Sequence, residues 1–188
     1  MANNYFLTGP IRVGKTTIIL KLLDRLNLNP GGFFVGRAGK DKVWLKFYFI
    51  AAELYKKNRF NISPADKAAD NKVDKKLIFA YREDRCEKWV IRTEVFNNMG
   101  VELLENGKCL DIVIMDELGN FEKRAKPFQD KVQELLDSNV LVLGVLKDAD
   151  NPFLNLIKER SDLILTYVSK ENRESVMNDY YHRLKKII

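Results

Sequence analysis

Gly9-Pro10-Ile11-Arg12-Val13-Gly14-Lys15-Thr16 satisfies the pattern G-x-x-x-x-G-K-[ST] at every fixed position. Before it, Asn4-Tyr5-Phe6-Leu7-Thr8 reads as a short buried strand. After it, Lys15 to Leu26 reads as an amphipathic helix, with Ile18, Ile19, Leu22, Leu23 and Leu26 on one face and Lys21, Asp24 and Arg25 opposite. A loop between strand and helix turns successive backbone N–H groups into one concavity, and the helix N-terminus adds partial positive charge. Phosphate suits that geometry. The pattern assigns Lys15 to the β- and γ-phosphates and the Thr16 hydroxyl to Mg²⁺.

Working outward, alternation of strand and helix continues along the 188 residues. Asn27-Leu28-Asn29-Pro30-Gly31-Gly32 breaks the first helix. Phe33–Arg37 and Val43–Ile50 then read as an antiparallel hairpin around a turn at 38–42. In its second strand Val43, Leu45, Phe47 and Phe49 alternate with Trp44, Lys46 and Tyr48. Residues 53–76 are polar and lysine-rich, an exposed basic connection. Leu77–Tyr81 reads as a strand and Phe96–Glu105 as a helix.

Asp111-Ile112-Val113-Ile114-Met115 is a continuous apolar run, as a strand buried on both faces requires. Ala125, Phe128, Val132, Leu135 and Leu136 recur at helical spacing. A strand at Val140–Leu146, a helix from Pro152, a strand at Leu163–Tyr167 and a last helix with Val176, Met177, Tyr180, Tyr181 and Leu184 on one face complete the series. The implied fold class is α/β, a mostly parallel sheet covered on both faces, with ligand at the carboxyl ends of the strands.

The apolar run ends at Asp116, where a carboxylate at a strand tip faces the metal held by the first loop. Glu117 follows directly. Hydrolysis needs a group that orients and polarises water in line with the γ-phosphate, and a glutamate beside the metal-linked aspartate is placed for it. Glu117 is thus the candidate catalytic residue, with Lys15, and a glutamate directly after Asp116 marks the additional-strand, catalytic-glutamate branch of phosphate-loop proteins. Gly119 lets backbone approach the ligand.

Composition bounds the rest. Net charge is +6 with Lys+Arg 32 against Asp+Glu 26, which suits polyanions such as nucleotides and permits nucleic-acid contact without indicating it. No apolar run approaches the roughly 20 residues that span a bilayer, so no membrane partner is expected. The chain enters a strand almost at once, leaving no room for a signal peptide. Cys86 and Cys109 lack metal-ligand or redox spacing and read as free thiols of a cytoplasmic protein. The one histidine, His182, lies in a basic helix, which argues against zinc or His-based nucleophile chemistry. Asp116-x-x-Gly119 and Asn71-Lys72-Val73-Asp74 imitate regulatory-GTPase elements, but in the wrong chain order.

Four segments together resemble the small nucleoside-triphosphatases related to the human cancer-related nucleoside-triphosphatase. They are Gly14-Lys15-Thr16-Thr17, Gly31-Gly32-Phe33-Phe34, Asp116-Glu117-Leu118-Gly119 with Glu122, and Glu171-Asn172-Arg173-Glu174. The resemblance implies one α/β/α sandwich domain over 1–188 and Mg²⁺-dependent hydrolysis of ATP, GTP and other triphosphates to diphosphate and phosphate. It adds Thr17, the stretch Ile112, Val113, Ile114, Met115, Asp116, Glu117, Leu118 and Gly119, and Arg173 to the nucleotide-contacting residues. A monomer is expected. The family loop usually carries glycine where this chain has Arg12. A small phosphate-loop kinase and a nucleotide-dependent binding module, RNA-associated through the basic surface, are the alternative readings; Glu117 favours water as acceptor. No arginine finger is assignable among Arg124, Arg160 and Arg173.

Overall fold

The computed structural model describes residues 3–40, 43–54 and 73–188. Among the described residues eight strands form one sheet: β1 (Asn4–Thr8), β2 (Pro30–Lys40), β3 (Val43–Ala51), β4 (Ile78–Tyr81), β5 (Val90–Ile91), β6 (Ile112–Leu118), β7 (Val142–Leu146) and β8 (Leu163–Tyr167). Their order is β5-β4-β3-β2-β6-β7-β1-β8. The side from β2 to β8 is parallel, and β3, β4 and β5 extend it in antiparallel fashion. β7 stands between the loop-bearing β1 and the Asp116-bearing β6, the inserted strand that the additional-strand branch requires.

The alternation of side chains explains the apolar runs. Along β6, Ile112 and Ile114 pack with Tyr5, Leu7 and helix α1 (Lys15–Leu26) on one face. Val113 and Met115 pack with Phe6, Phe33 and Phe128 on the other. Burying each such side chain is worth roughly 1.5–3 kcal/mol, so both faces must be covered. The first face receives α1 and the last helix, α5 (Arg173–Leu184), whose Tyr180 hydroxyl donates to Phe6 O at 2.9 Å. The second receives α2, a continuous stretch of Thr93–Val95, the π-helical turn Phe96–Gly100 and Val101–Gly107, together with α3 (Lys126–Leu136) and α4 (Pro152–Lys158).

Several boundaries differ from the sequence reading for tertiary reasons. β2 begins at Pro30, because Gly31 and Gly32 are paired in parallel with Val113 and Ile114 of β6 rather than lying in a turn. Gly32 has φ 81°, and a Cβ there would stand 2.1 Å from Ile114 O. Only glycine permits that approach. β6 runs on through Asp116 to Leu118, and β7 begins at Val142. β5, two residues long, is too short to carry a periodic signal.

The alternation expected in β3 also breaks. Arg37 pairs with Phe47 and Ala38 with Lys46, but Gly39 pairs with Trp44, so Leu45 is the extra residue of a bulge. Trp44 thereby joins the face carrying Phe47 and Phe49. The basic connection lies largely outside the described residues, which stop at 54 and resume at 73. Asp74, the last residue of the N-K-x-D imitation, accepts a hydrogen bond from Lys76 N–H at 2.9 Å and caps a 3-10 turn, Lys75–Leu77. Among the described residues no helix is long and apolar enough to cross a membrane.

Candidate functional site

The loop from Gly9 to Thr16 bends through three left-handed residues: Gly9 (φ 131°), Arg12 (φ 66°) and Gly14 (φ 105°). A Cβ on Gly9 would meet Val168 O at 2.4 Å, so the loop leaves β1 in contact with the end of β8. Gly14 caps α1 at its N-terminus. At Arg12 the backbone holds the left-handed conformation despite the side chain, which is exposed.

Lys15 is buried and its ammonium donates to the carbonyls of Gly9 and Pro10, both at 2.8 Å. These bonds close the loop on itself. Burial lowers the Lys15 pKa, against the opposing carboxylates of Glu117 and Asp116.

At the facing end of β6, Asp116 is 5% exposed and Glu117 half-buried. Asp116 pairs with Val145 of β7 and Leu118 with Leu146, which leaves Glu117 in a bulge without a partner residue there. The bulge lets consecutive carboxylates face one site instead of opposite sides of the sheet. Burial pushes the Asp116 carboxyl up to about 6, although the Thr16 hydroxyl donates to it and counteracts the shift. A carboxylate and a hydroxyl already in contact are hard oxygen donors. Mg²⁺ takes one or two such protein ligands and completes its shell with phosphate and water, so this pair fits it. Elsewhere among the described residues no group of three His, Cys, Asp or Glu side chains is arranged to hold a metal. Cys86 and Cys109 are exposed free thiols.

These elements enclose a cavity of about 370 Å³, lined by Ile11, Arg12, Gly14, Lys15, Thr16, Thr17, Asp116 and Glu117. Leu20, Val35, Arg37 and Trp44 complete the lining. The remaining sequence candidates stand elsewhere. Val13 is in the core beneath the loop, and Ile112–Met115 are fully buried and position Asp116. Leu118 and Gly119 border a neighbouring aromatic cavity. Arg173 is exposed at the start of α5 and lines neither cavity. The turn before it is built by Asn172, whose carboxamide accepts from Ser169 N–H and donates to Tyr167 O. Arg160 is held by Asp137 and Asp162 at 2.7 Å each, at the end of the sheet's α3–α4 face.

Sequence reasoning missed Arg37. Its guanidinium lies 3.6 Å from the Glu117 carboxylate, and its Nε is buried with no hydrogen-bond partner among the described residues. A signal existed: in Phe33-Phe34-Val35-Gly36-Arg37 the arginine occupies the inward-facing position of a strand whose other members, Phe33 and Val35, face the core. Glu122 was named only as part of a motif. It is 3% exposed, accepts a hydrogen bond from Gly119 N–H, and burial pushes its carboxyl up to about 7.

A family model described as NTPase matches residues 4–181. The chain belongs to that family. It is 29% identical over 183 residues to the nucleoside-triphosphatase THEP1 of Thermotoga maritima, covering 95% of this chain and 94% of the relative. To the human cancer-related nucleoside-triphosphatase it is 25% identical, with 95% of each chain covered. The crystal structure of THEP1 from the hyperthermophile Aquifex aeolicus superposes with a TM-score of 0.69 at 22% identity, over 96% of this chain and 98% of that one. That likeness establishes the fold of the phosphate-loop NTPases, with its mostly parallel sheet.

Proposed function

We propose that the chain is a Mg²⁺-dependent nucleoside-triphosphatase, hydrolysing ATP, GTP and other triphosphates to diphosphate and phosphate. The observation that carries the reading is the pair Asp116–Glu117 at the end of β6, both lining the loop cavity with Lys15 and Thr16. Family membership and the names of the relatives support the same activity class.

The backbone N–H groups of Ile11 to Thr17 cradle the phosphates, and Lys15 leaves the Gly9 and Pro10 carbonyls to neutralise the β- and γ-phosphate oxygens. Thr16 and Asp116 would hold Mg²⁺, which would supply neutralisation of the negative charge that develops during transfer of the γ-phosphoryl group. Glu117 accepts a proton from the attacking water as its oxygen bonds to the γ-phosphorus and the bond to the β-phosphate oxygen breaks. Arg37 restrains the Glu117 carboxylate toward the cavity. Arg173, exposed at the start of α5, is proposed as an outer contact to the nucleotide rather than part of the reacting centre.

Phosphate release from ATP and GTP, with and without Mg²⁺, tests this reading on wild type and Glu117→Gln. The expected result is Mg²⁺-dependent release that falls about 10²–10⁴-fold in the variant, the range of a positioned general base, with triphosphate binding retained. Release at the wild-type rate in Glu117→Gln removes the glutamate from this role.

A further inference from the structure

Beside the loop cavity lies a second one, of about 190 Å³, walled by aromatic rings. Phe47, Trp89 and Phe121 form its outer wall, with centroids 4.9, 5.1 and 5.4 Å apart in tilted or edge-to-face pairs. The bulge at Leu45 brings Trp44 to the same face. The two cavities share Ile11, Val35, Arg37, Trp44 and Glu117 in their linings, so Glu117 stands at the junction between them. A site this size accommodates a ring: an engineered apolar cavity of roughly 150 Å³ binds benzene.

We propose that this cavity is the binding site for a second substrate, a small uncharged alcohol borne on a flat aromatic ring, and that its hydroxyl accepts the γ-phosphoryl group. The proposal rests on the reading of Glu117 as the proton acceptor facing the γ-phosphate. Lys15 and Thr16 line the loop cavity alone and mark the β/γ end of the nucleotide, whereas Glu117 lines both cavities, so a hydroxyl seated in the aromatic cavity has the same proton acceptor within reach.

The lining dictates the ligand class. Rings in edge-to-face array favour a further aromatic ring over a saturated one. Its cations, Arg37 and Lys147, face Glu117 and the buried Glu122, whose carboxyl is pushed up to about 7 and so offsets only part of a charge near neutral pH, which leaves little net positive charge. A phosphorylated acceptor needs a surplus of cations that this lining lacks. The unpartnered, buried Nε of Arg37 supplies a donor for the acceptor's oxygen.

The step balances as R–OH plus nucleoside triphosphate giving R–O–phosphate, nucleoside diphosphate and a proton. The alcohol oxygen bonds to the γ-phosphorus, the bridge from γ-phosphorus to β-phosphate oxygen breaks, and Glu117 takes the hydroxyl proton. Water uses the same carboxylate when the cavity is empty.

Trp44 and Trp89 are the chain's two tryptophans and both line the cavity, so tryptophan emission reports its occupancy directly. Benzyl alcohol, pyridylmethanol and naphthylmethanol are titrated to millimolar concentration in the presence of Mg²⁺ and ADP, with cyclohexylmethanol as the saturated control. In parallel, γ-labelled ATP is incubated with each and the label is partitioned between free phosphate and phosphate ester. Expected are a saturable emission change with the aromatic alcohols, weaker with the control, and labelled ester whose formation falls about tenfold in Trp89→Leu. No emission change with any aromatic alcohol overturns the proposal, and so does an emission change without ester, which leaves a binding site without acceptor role. Phosphate release lost in Glu117→Gln while no alcohol binds overturns this proposal alone; release unaffected in that variant overturns the reading of Glu117 on which it rests.

Discussion

Arg12 holds a backbone conformation that suits glycine, φ 66° in the middle of the phosphate loop. A non-glycine residue there sacrifices roughly 1–2 kcal/mol, whereas glycine's extra freedom in the unfolded chain costs about 0.5–1 kcal/mol. The first effect wins, so Arg12→Gly is expected to stabilise the protein by about 0.5–1 kcal/mol in urea unfolding. The side chain is exposed, so its charge acts on a bound triphosphate through solvent, where such interactions are worth under about 1 kcal/mol. Weakening of ATP binding by more than about fivefold would show instead that the guanidinium touches the phosphates. The phosphate loop, Asp116 and Glu117 were legible because each is a fixed residue type at a fixed spacing. Arg37 was legible only in part: alternation with Phe33 and Val35 turns it inward, but the register across β2 and β6 that sets it beside Glu117 is encoded by no local pattern. Pairing Phe34 with Asp116 brings residues on neighbouring strands together although they are far apart in the chain.

At the scale of elements, strands and helices with strong periodicity were legible and their edges less so. α1 ends where its sequence predicts, because Asn27 adopts the left-handed cap and Leu28 N–H closes on Leu23 O at 3.1 Å. The pair Gly31-Gly32 reads as a turn by composition, yet serves as the place where two backbones approach. A Cβ on Gly31 would meet Gly107 Cα of α2 at 2.2 Å, and one on Gly32 would meet Ile114 O at 2.1 Å. Gly32→Ala therefore combines a left-handed strain of roughly 1–2 kcal/mol with overpacking of about 1–3 kcal/mol against backbone that has no rotamer to yield. The expected loss in urea unfolding is roughly 2–5 kcal/mol. A loss below about 1 kcal/mol would mean that β2 does not lie against β6 in this register.

For the whole molecule, two acidic side chains buried at the same end of the sheet set how stability depends on pH. Asp116 is pushed from 3.8 up to about 6 and Glu122 from 4.5 up to about 7, both first of all by burial. The folded state then binds more protons than the unfolded chain between about pH 4 and pH 7, and stability falls as pH rises through that window. The contribution is complete below the unfolded pKa of each group and gone above its folded value. Glu122 is the better of the two to vary, since its carboxylate accepts from Gly119 N–H and Gln can keep that bond, although it lines the aromatic cavity with Glu117 and feels that carboxylate's charge. At about 1.4 kcal/mol for each unit, its shift amounts to roughly 3 kcal/mol between pH 4 and pH 8. Surface pairs such as Lys131–Glu134 titrate identically in wild type and Glu122→Gln, so they cancel in the difference. Urea unfolding at a series of pH values should find the variant gaining on wild type from pH 5 upward, by about 2–3 kcal/mol, and levelling off above pH 7. Parallel curves would mean that the Glu122 carboxyl reaches water in the folded protein. A gain that grows as pH falls would invert the sign, and would place a cation against Glu122 that holds it ionised.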